Sequence, residues 1–158
     1  MMPLLLMATS AWASPPYVGL PLDVVPALGL GEPTLSRELD EVRIALPHGG
    51  VAVVEIAASD DEADVWFENR LRTSAAHWPV ANSPLPYERA VGDGTAVLLV
   101  RQRNAVVYVR DLGNDATVVA NAILAALTTD AARCAPVTRT DPDGTSWSAC
   151  GKRTTGRD

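Results

Sequence analysis

The chain has 158 residues, of which 47% are hydrophobic and 20% charged, and a net charge of −6. That length suits one domain with one core, and the composition excludes a disordered or low-complexity chain. An acidic balance excludes general nucleic-acid binding, because phosphate recognition needs a basic face to displace counterions. Only five per cent is aromatic and Phe67 is the sole phenylalanine, so Val, Leu, Ile and Ala must build most of the core. The charge is uneven: from Arg133 onward Arg133, Arg139, Lys152, Arg153 and Arg157 outnumber Asp141, Asp143 and Asp158. An acidic body with a mildly basic, flexible tail over 151–158 is the expectation.

Residues 1–13, MMPLLLMATSAWA, join an apolar run at Leu4, Leu5, Leu6 and Met7 to Ala11-Trp12-Ala13, a small-x-small pattern read by signal peptidase. They are expected to be a signal peptide. No acylatable cysteine follows, so a lipoprotein is not expected, and no other stretch approaches the ~18 apolar residues of a membrane span. Residues 14–39 begin SPPYVGLPLDVVPALGLGEP, where five prolines and three glycines exclude regular helix. An irregular arm is predicted, with one short edge strand, docked through Leu20, Leu22, Val24, Val25, Leu28 and Leu30.

The α+β domain is expected over 40–133. Val42, Ile44 and Leu46 alternate with Arg43, Ala45 and Pro47, the period of a strand with one buried face. Pro47-His48-Gly49-Gly50 turns the chain, and the β-branched run Val51 to Ile56 returns as the second strand of a hairpin. Ser59 and Glu62 then form a capping box, and Asp60, Asp61 and Asp64 suit the positive end of a helix dipole. Behind them Ala63, Trp66, Phe67, Leu71, Ala75 and Trp78 share one helical face over about 60 to 76, closed by Pro79.

After a proline-rich loop at 79–89 the plan repeats. Thr95 to Arg101 reads as a strand, Gln102-Arg103-Asn104 as a turn, Ala105 to Arg110 as a strand, and Gly113-Asn114-Asp115 leads a helix to about Leu127. Sliding the chain by 54 positions puts Val53 on Val107, Asp61 on Asp115 and Val65 on Val119. Two ββα units sharing an antiparallel sheet of four or more strands, with both helices on one face, is the predicted fold.

CAPVTRTDPDGTSWSAC, residues 134–150, contains both cysteines. A calcium loop needs alternating oxygen ligands and a late bidentate Glu, and only Asp141 and Asp143 qualify. Zinc needs four ligands, and His48 and His77 lie far away in sequence. Asp141-Pro142-Asp143-Gly144 instead carries the signature of a type I turn with a glycine bulge. A hairpin with Asp141 paired to Thr145 places Cys134 and Cys150 on one face, offset by one pair. A bulge or a strand twist must then bring them within disulfide reach. The segment is read as a disulfide-linked hairpin.

Chemistry-bearing motifs are few. His48 in a turn and His77 near a helix end are the only bases of their type, and no nucleophile or metal-ligand motif accompanies either. Gly-x-Ser-x-Gly, His-Glu-x-x-His, Walker A and Gly-x-Gly-x-x-Gly are absent. Gly92-Asp93-Gly94 lacks the helix and lysine of a phosphate loop and reads as a tight turn. The carboxylates at 60, 61, 62 and 64 read as helix capping, and Trp66 and Trp78 as core. No cofactor or metal is expected.

Ala90-Val91-Gly92-Asp93-Gly94, a strand, Arg103-Asn104-Ala105-Val106-Val107-Tyr108-Val109 and a helix after Asn114-Asp115 resemble the C-terminal half of small PsbP-like exported domains. The resemblance covers about forty residues and implies a domain that binds or assists assembly. It carries over no functional residue, and the family's usual lipid-attachment cysteine is missing. The expected function is a non-catalytic binding or accessory protein of the bacterial cell envelope, periplasmic or secreted, with a protein or small ligand as partner. An exported inhibitor or immunity protein against a basic enzyme and a small hydrolase using His48 or His77 are the alternatives.

Overall fold

The computed structural model describes residues 14–35, 41–73, 87–92, 96–110, 115–134, 136–140, 145–148, 150 and 153–155. The expected signal peptide at 1–13, His77 and Trp78 and the Asp141–Gly144 turn lie outside these residues.

Six antiparallel strands form the main sheet: β1 (Pro33–Leu35), β2 (Glu41–Ala45), β3 (Val51–Ile56), β4 (Arg89–Gly92), β5 (Val97–Gln102) and β6 (Ala105–Arg110), in the order β1-β2-β3-β6-β5-β4. Two helices cross it, α1 (Asp60–Thr73) and α2 (Ala116–Ala126). The fold class is α+β with two ββα units, β2-β3-α1 and β5-β6-α2, whose second strands pair at the centre of the sheet. Period-two burial follows the alternation: Val42, Ile44 and Leu46 are buried while Arg43 and Ala45 are exposed.

The helices lie on opposite faces of the sheet, not on one. Val119, Ala120 and Ile123 of α2 pack with Leu98, Val100, Val107 and Val109. Ala63 and Phe67 of α1 pack with Leu99 and Val106, residues of opposite parity on the same two strands. The reason is parity. Val53 and Val107 are equivalent in the sequence repeat, but in the ladder Val53 pairs with Tyr108 and Val54 with Val107. Successive side chains point to opposite faces, so Val53 and Val107 do too, and the second unit is inverted relative to the first.

Both helices start where their caps dictate. Ser59 Oγ accepts from the Glu62 N–H at 3.1 Å, and Glu62 Oε2 returns to the Ala58 N–H at 2.6 Å, one residue earlier than a standard box. Asp115 caps α2 by accepting from the Thr117 N–H at 2.9 Å. Arg89–Gly92, read from sequence as the end of a loop and the start of a turn, is an edge strand. It is four residues long and carries no period of its own, and β5 supplies its ladder.

The arm docks on the α2 face, where Leu20 and Val25 are fully buried. Buried Asn104, at the β5–β6 turn, holds it there: Oδ1 accepts from the Tyr17 N–H at 2.7 Å, and Nδ2 donates to the carbonyls of Tyr17 at 2.7 Å and Ala57 at 2.8 Å. Gly31 runs so close to β2 that an added Cβ would fall 1.8 Å from the Ala45 carbonyl oxygen.

The C-terminal segment forms a second sheet, β7 (Pro136–Thr140), β8 (Thr145–Ser148) and β9 (Arg153–Thr155). Cys134 and Cys150 are disulfide-bonded, with Cα atoms 4.8 Å apart. Thr140 pairs with Ser146, the register expected from the turn, but the ladder shifts between Val137 and Thr140 so that Pro136 pairs with Ser148. Extended outward, the shifted register sets Cys134 opposite Cys150, which removes the offset. Arg153–Thr155 pairs with β8, so the expected flexible tail contributes a strand.

Candidate functional site

The strongest concentration of polar chemistry lies on the α1 face of the sheet. Glu41 and Glu55 are direct cross-strand partners on β2 and β3, and like charges so placed repel. Arg70, reaching down from α1, relieves this. Its Nε donates to Glu55 Oε2 at 3.0 Å, while Nη2 lies 2.9 Å from Glu55 Oε1 and 3.2 Å from Glu41 Oε2. The fork grips Glu55 with two nitrogens, the geometry in which arginine binds a carboxylate best. Arg43, two residues along β2 on the same face, donates from Nε to Glu41 Oε1 at 2.6 Å. The Arg70 guanidinium also stands 5.9 Å above the centre of the Tyr108 ring.

Glu41 is only 2% exposed, a position an isolated carboxylate could not hold. Two arginines against two glutamates make the cluster neutral. Burial pulls the Arg70 pKa down, but the hydrogen bond and charge of Glu55, followed by those of Glu41, outweigh it and leave the guanidinium above the ordinary arginine range.

A second cluster follows the other margin of α1. Arg89 of β4 bonds Asp64 at 3.0 Å and also bonds Glu68, and its guanidinium covers the Phe67 ring at 4.4 Å. Hydrogen bonds from Glu68 and Asp64 raise its pKa. Arg101 of β5 pairs with Glu88, and its Nε lies 2.8 Å from Asp64 Oδ1 without aiming its hydrogen at that oxygen. Asp64, read from sequence as a dipole partner of its helix, thus serves as an anchor to the sheet. Helix α1 is a strap, apolar along its midline at Ala63 and Phe67 and fastened on both margins by arginines.

The sequence-derived candidates fall elsewhere. His48 is exposed in the β2–β3 turn, with a φ of 71°. Gly92 ends β4 with a φ of 139°, and Asp93 and Gly94 of the expected tight turn lie outside the described residues. Trp66 is partly buried against the α1-side core. Among the described residues no three His, Cys, Asp or Glu side chains are grouped to hold a metal. No protein-family model, curated protein or solved structure matches the chain. Glu41, Glu55, Asp64, Glu68 and Glu88 each contact an arginine, and these carboxylates work as ion-pair acceptors.

Of Glu41, Arg43, Glu55 and Arg70, the alternation in the sequence marks only Arg43, as a residue off the buried face of its strand. One signal could have exposed part of the cluster. Glu41 and Glu55 stand equidistant from His48, the middle of the hairpin turn, so a symmetric hairpin makes them partners. Nothing local places Arg70 over them.

Proposed function

We propose that this chain is a non-catalytic binding or accessory domain of the bacterial cell envelope, acting in the periplasm or outside the cell on a protein or small ligand. The observation that carries the reading is the Cys134–Cys150 disulfide, because such bonds persist in oxidising compartments and are rare in the cytosol. The leader-like residues 1–13 support the same compartment. Among the described residues no helix is long and apolar enough to cross a membrane. The resemblance to PsbP-like exported domains adds a binding or assembly role; those of its residues that are described fall in β4, the β5–β6 turn, β6 and the N-cap of α2. Binding rather than turnover fits a face whose carboxylates are already engaged by arginines.

Intact-mass analysis of native material tests the reading. A chain starting at Ser14, with cysteines that resist alkylation until a reductant is added, is the expected result. Retention of Met1 together with two thiols alkylated directly would overturn export. A hydrolytic activity lost on His48→Ala or His77→Ala, with the fold intact, would overturn the non-catalytic role.

A further inference from the structure

The disulfide does more than close its own hairpin. Cys150 is 1% exposed, and its carbonyl accepts from the Leu20 N–H at 3.2 Å. On its other side the same arm segment pairs with the residue after α2: the Val18 N–H donates to Thr128 O at 2.8 Å, and the Thr128 N–H donates to Gly19 O at 3.0 Å. Residues 18–20 are thus held between Thr128 and Cys150. The contact is close enough to require glycine, since a Cβ on Gly19 would fall 2.5 Å from both the Cβ and the carbonyl oxygen of Cys150.

We propose that the Cys134–Cys150 bond is a latch on the N-terminal arm, so that its redox state decides whether residues 18–20 stay clasped between Thr128 and Cys150. Upstream, Asn104 fixes the arm at Tyr17, and from residue 18 onward its backbone is held by Thr128 on one side and Cys150 on the other. Its segment around residue 19 forms a single bridge rather than a ladder, and the positioning of Cys150 depends on its covalent tie to Cys134, sixteen residues away. Opening the bond frees the 134–150 segment from that tie. The Leu20 N–H then loses its acceptor, and the backbone of residues 18–20 is left with the Thr128 bridge. The latch does not depend on export: an oxidising compartment keeps it shut, and a reducing one opens it.

The reductant required is a dithiol. Its thiolate attacks Cys134 Sγ, the sulfur of the half-buried cysteine, the S–S bond breaks, and Cys150 leaves as a thiolate that takes up a proton. The second thiol then displaces Cys134 and leaves as the reductant's own disulfide, so two electrons and two protons pass to the protein. Burial of the departing Cys150 makes this slow in the folded chain.

Hydrogen exchange of the full chain, oxidised and after treatment with dithiothreitol, tests the latch. Exchange at the amides of Val18, Leu20 and Thr128 should accelerate at least about tenfold on reduction, while the β3 and β6 amides keep their protection. Unchanged arm amides would overturn the proposal, and so would loss of protection throughout β3 and β6 together with the arm. Gly19→Ala provides a second route with the disulfide intact. The oxidised variant should show the same arm-specific acceleration, and wild-type exchange at Val18 and Leu20 would overturn the role of the Cys150 contact.

Discussion

Arg70 reaches from α1 down onto the sheet to meet Glu41, 29 residues away in the chain, at 3.2 Å, while its Nε and the same Nη2 hold Glu55. Removing it would leave two adjacent carboxylates facing each other, one of them buried, with Arg43 the one cation left beside them among the described residues. Arg70→Met is expected to lower stability by about 3 kcal/mol, because breaking a buried pair strands a charge. The double variant Arg70→Met, Glu41→Gln should recover part of that loss. Urea unfolding checks both, and a single variant within experimental error of wild type would show that the cluster contributes no net stability.

Asn104 uses its whole amide to tie the arm to the sheet. Asn104→Ala should cost roughly 3 kcal/mol, since it deprives three backbone groups of partners. Asn104→Asp should also destabilise, because a carboxylate cannot donate to the carbonyls of Tyr17 and Ala57. Equal unfolding midpoints for Asn104→Asp and wild type would contradict this hydrogen-bond assignment.

Tyr87 donates to Asn121 Oδ1 on α2, and burial, followed by the charge of Asp115, raises its phenol above the ordinary value of 10.0. The folded state therefore holds the proton more tightly than the unfolded state. Its contribution to stability is complete below about pH 10 and is lost as pH rises through the folded pKa. Tyr87→Phe should flatten the alkaline limb of the stability profile and leave its dependence between pH 6 and 9 as in wild type. Parallel alkaline limbs in the two proteins would refute the assignment.

Ser59→Ala removes the acceptor for the Glu62 N–H and should cost about 1 kcal/mol, the usual value of an N-cap. Ser59→Asp should retain most of the stability. Thermal unfolding of the three proteins gives the comparison.

Local rules made much of this chain legible. Period-two alternation located β2, the β-branched run located β3 residue for residue, and Ser59-x-x-Glu62 and Asp115 marked both helix starts. Asp141-Pro142-Asp143-Gly144 pointed to a C-terminal hairpin and to the need for an irregularity, which the ladder supplies between Val137 and Thr140. These signals depend on neighbours within a few positions, where backbone sterics and burial period act directly.

Tertiary structure decided the rest. Which side of the sheet each helix covers depends on the pairing of Val53 with Tyr108 rather than with Val107, a register between strands more than fifty residues apart. The meeting of Arg70 with Glu41 and Glu55, and the pressing of Gly19 against Cys150, depend on chain packing for the same reason. A charged residue on a strand looks alike whether it faces water or a distant arginine. Only the packed structure supplies the opposite charge that makes its burial tolerable.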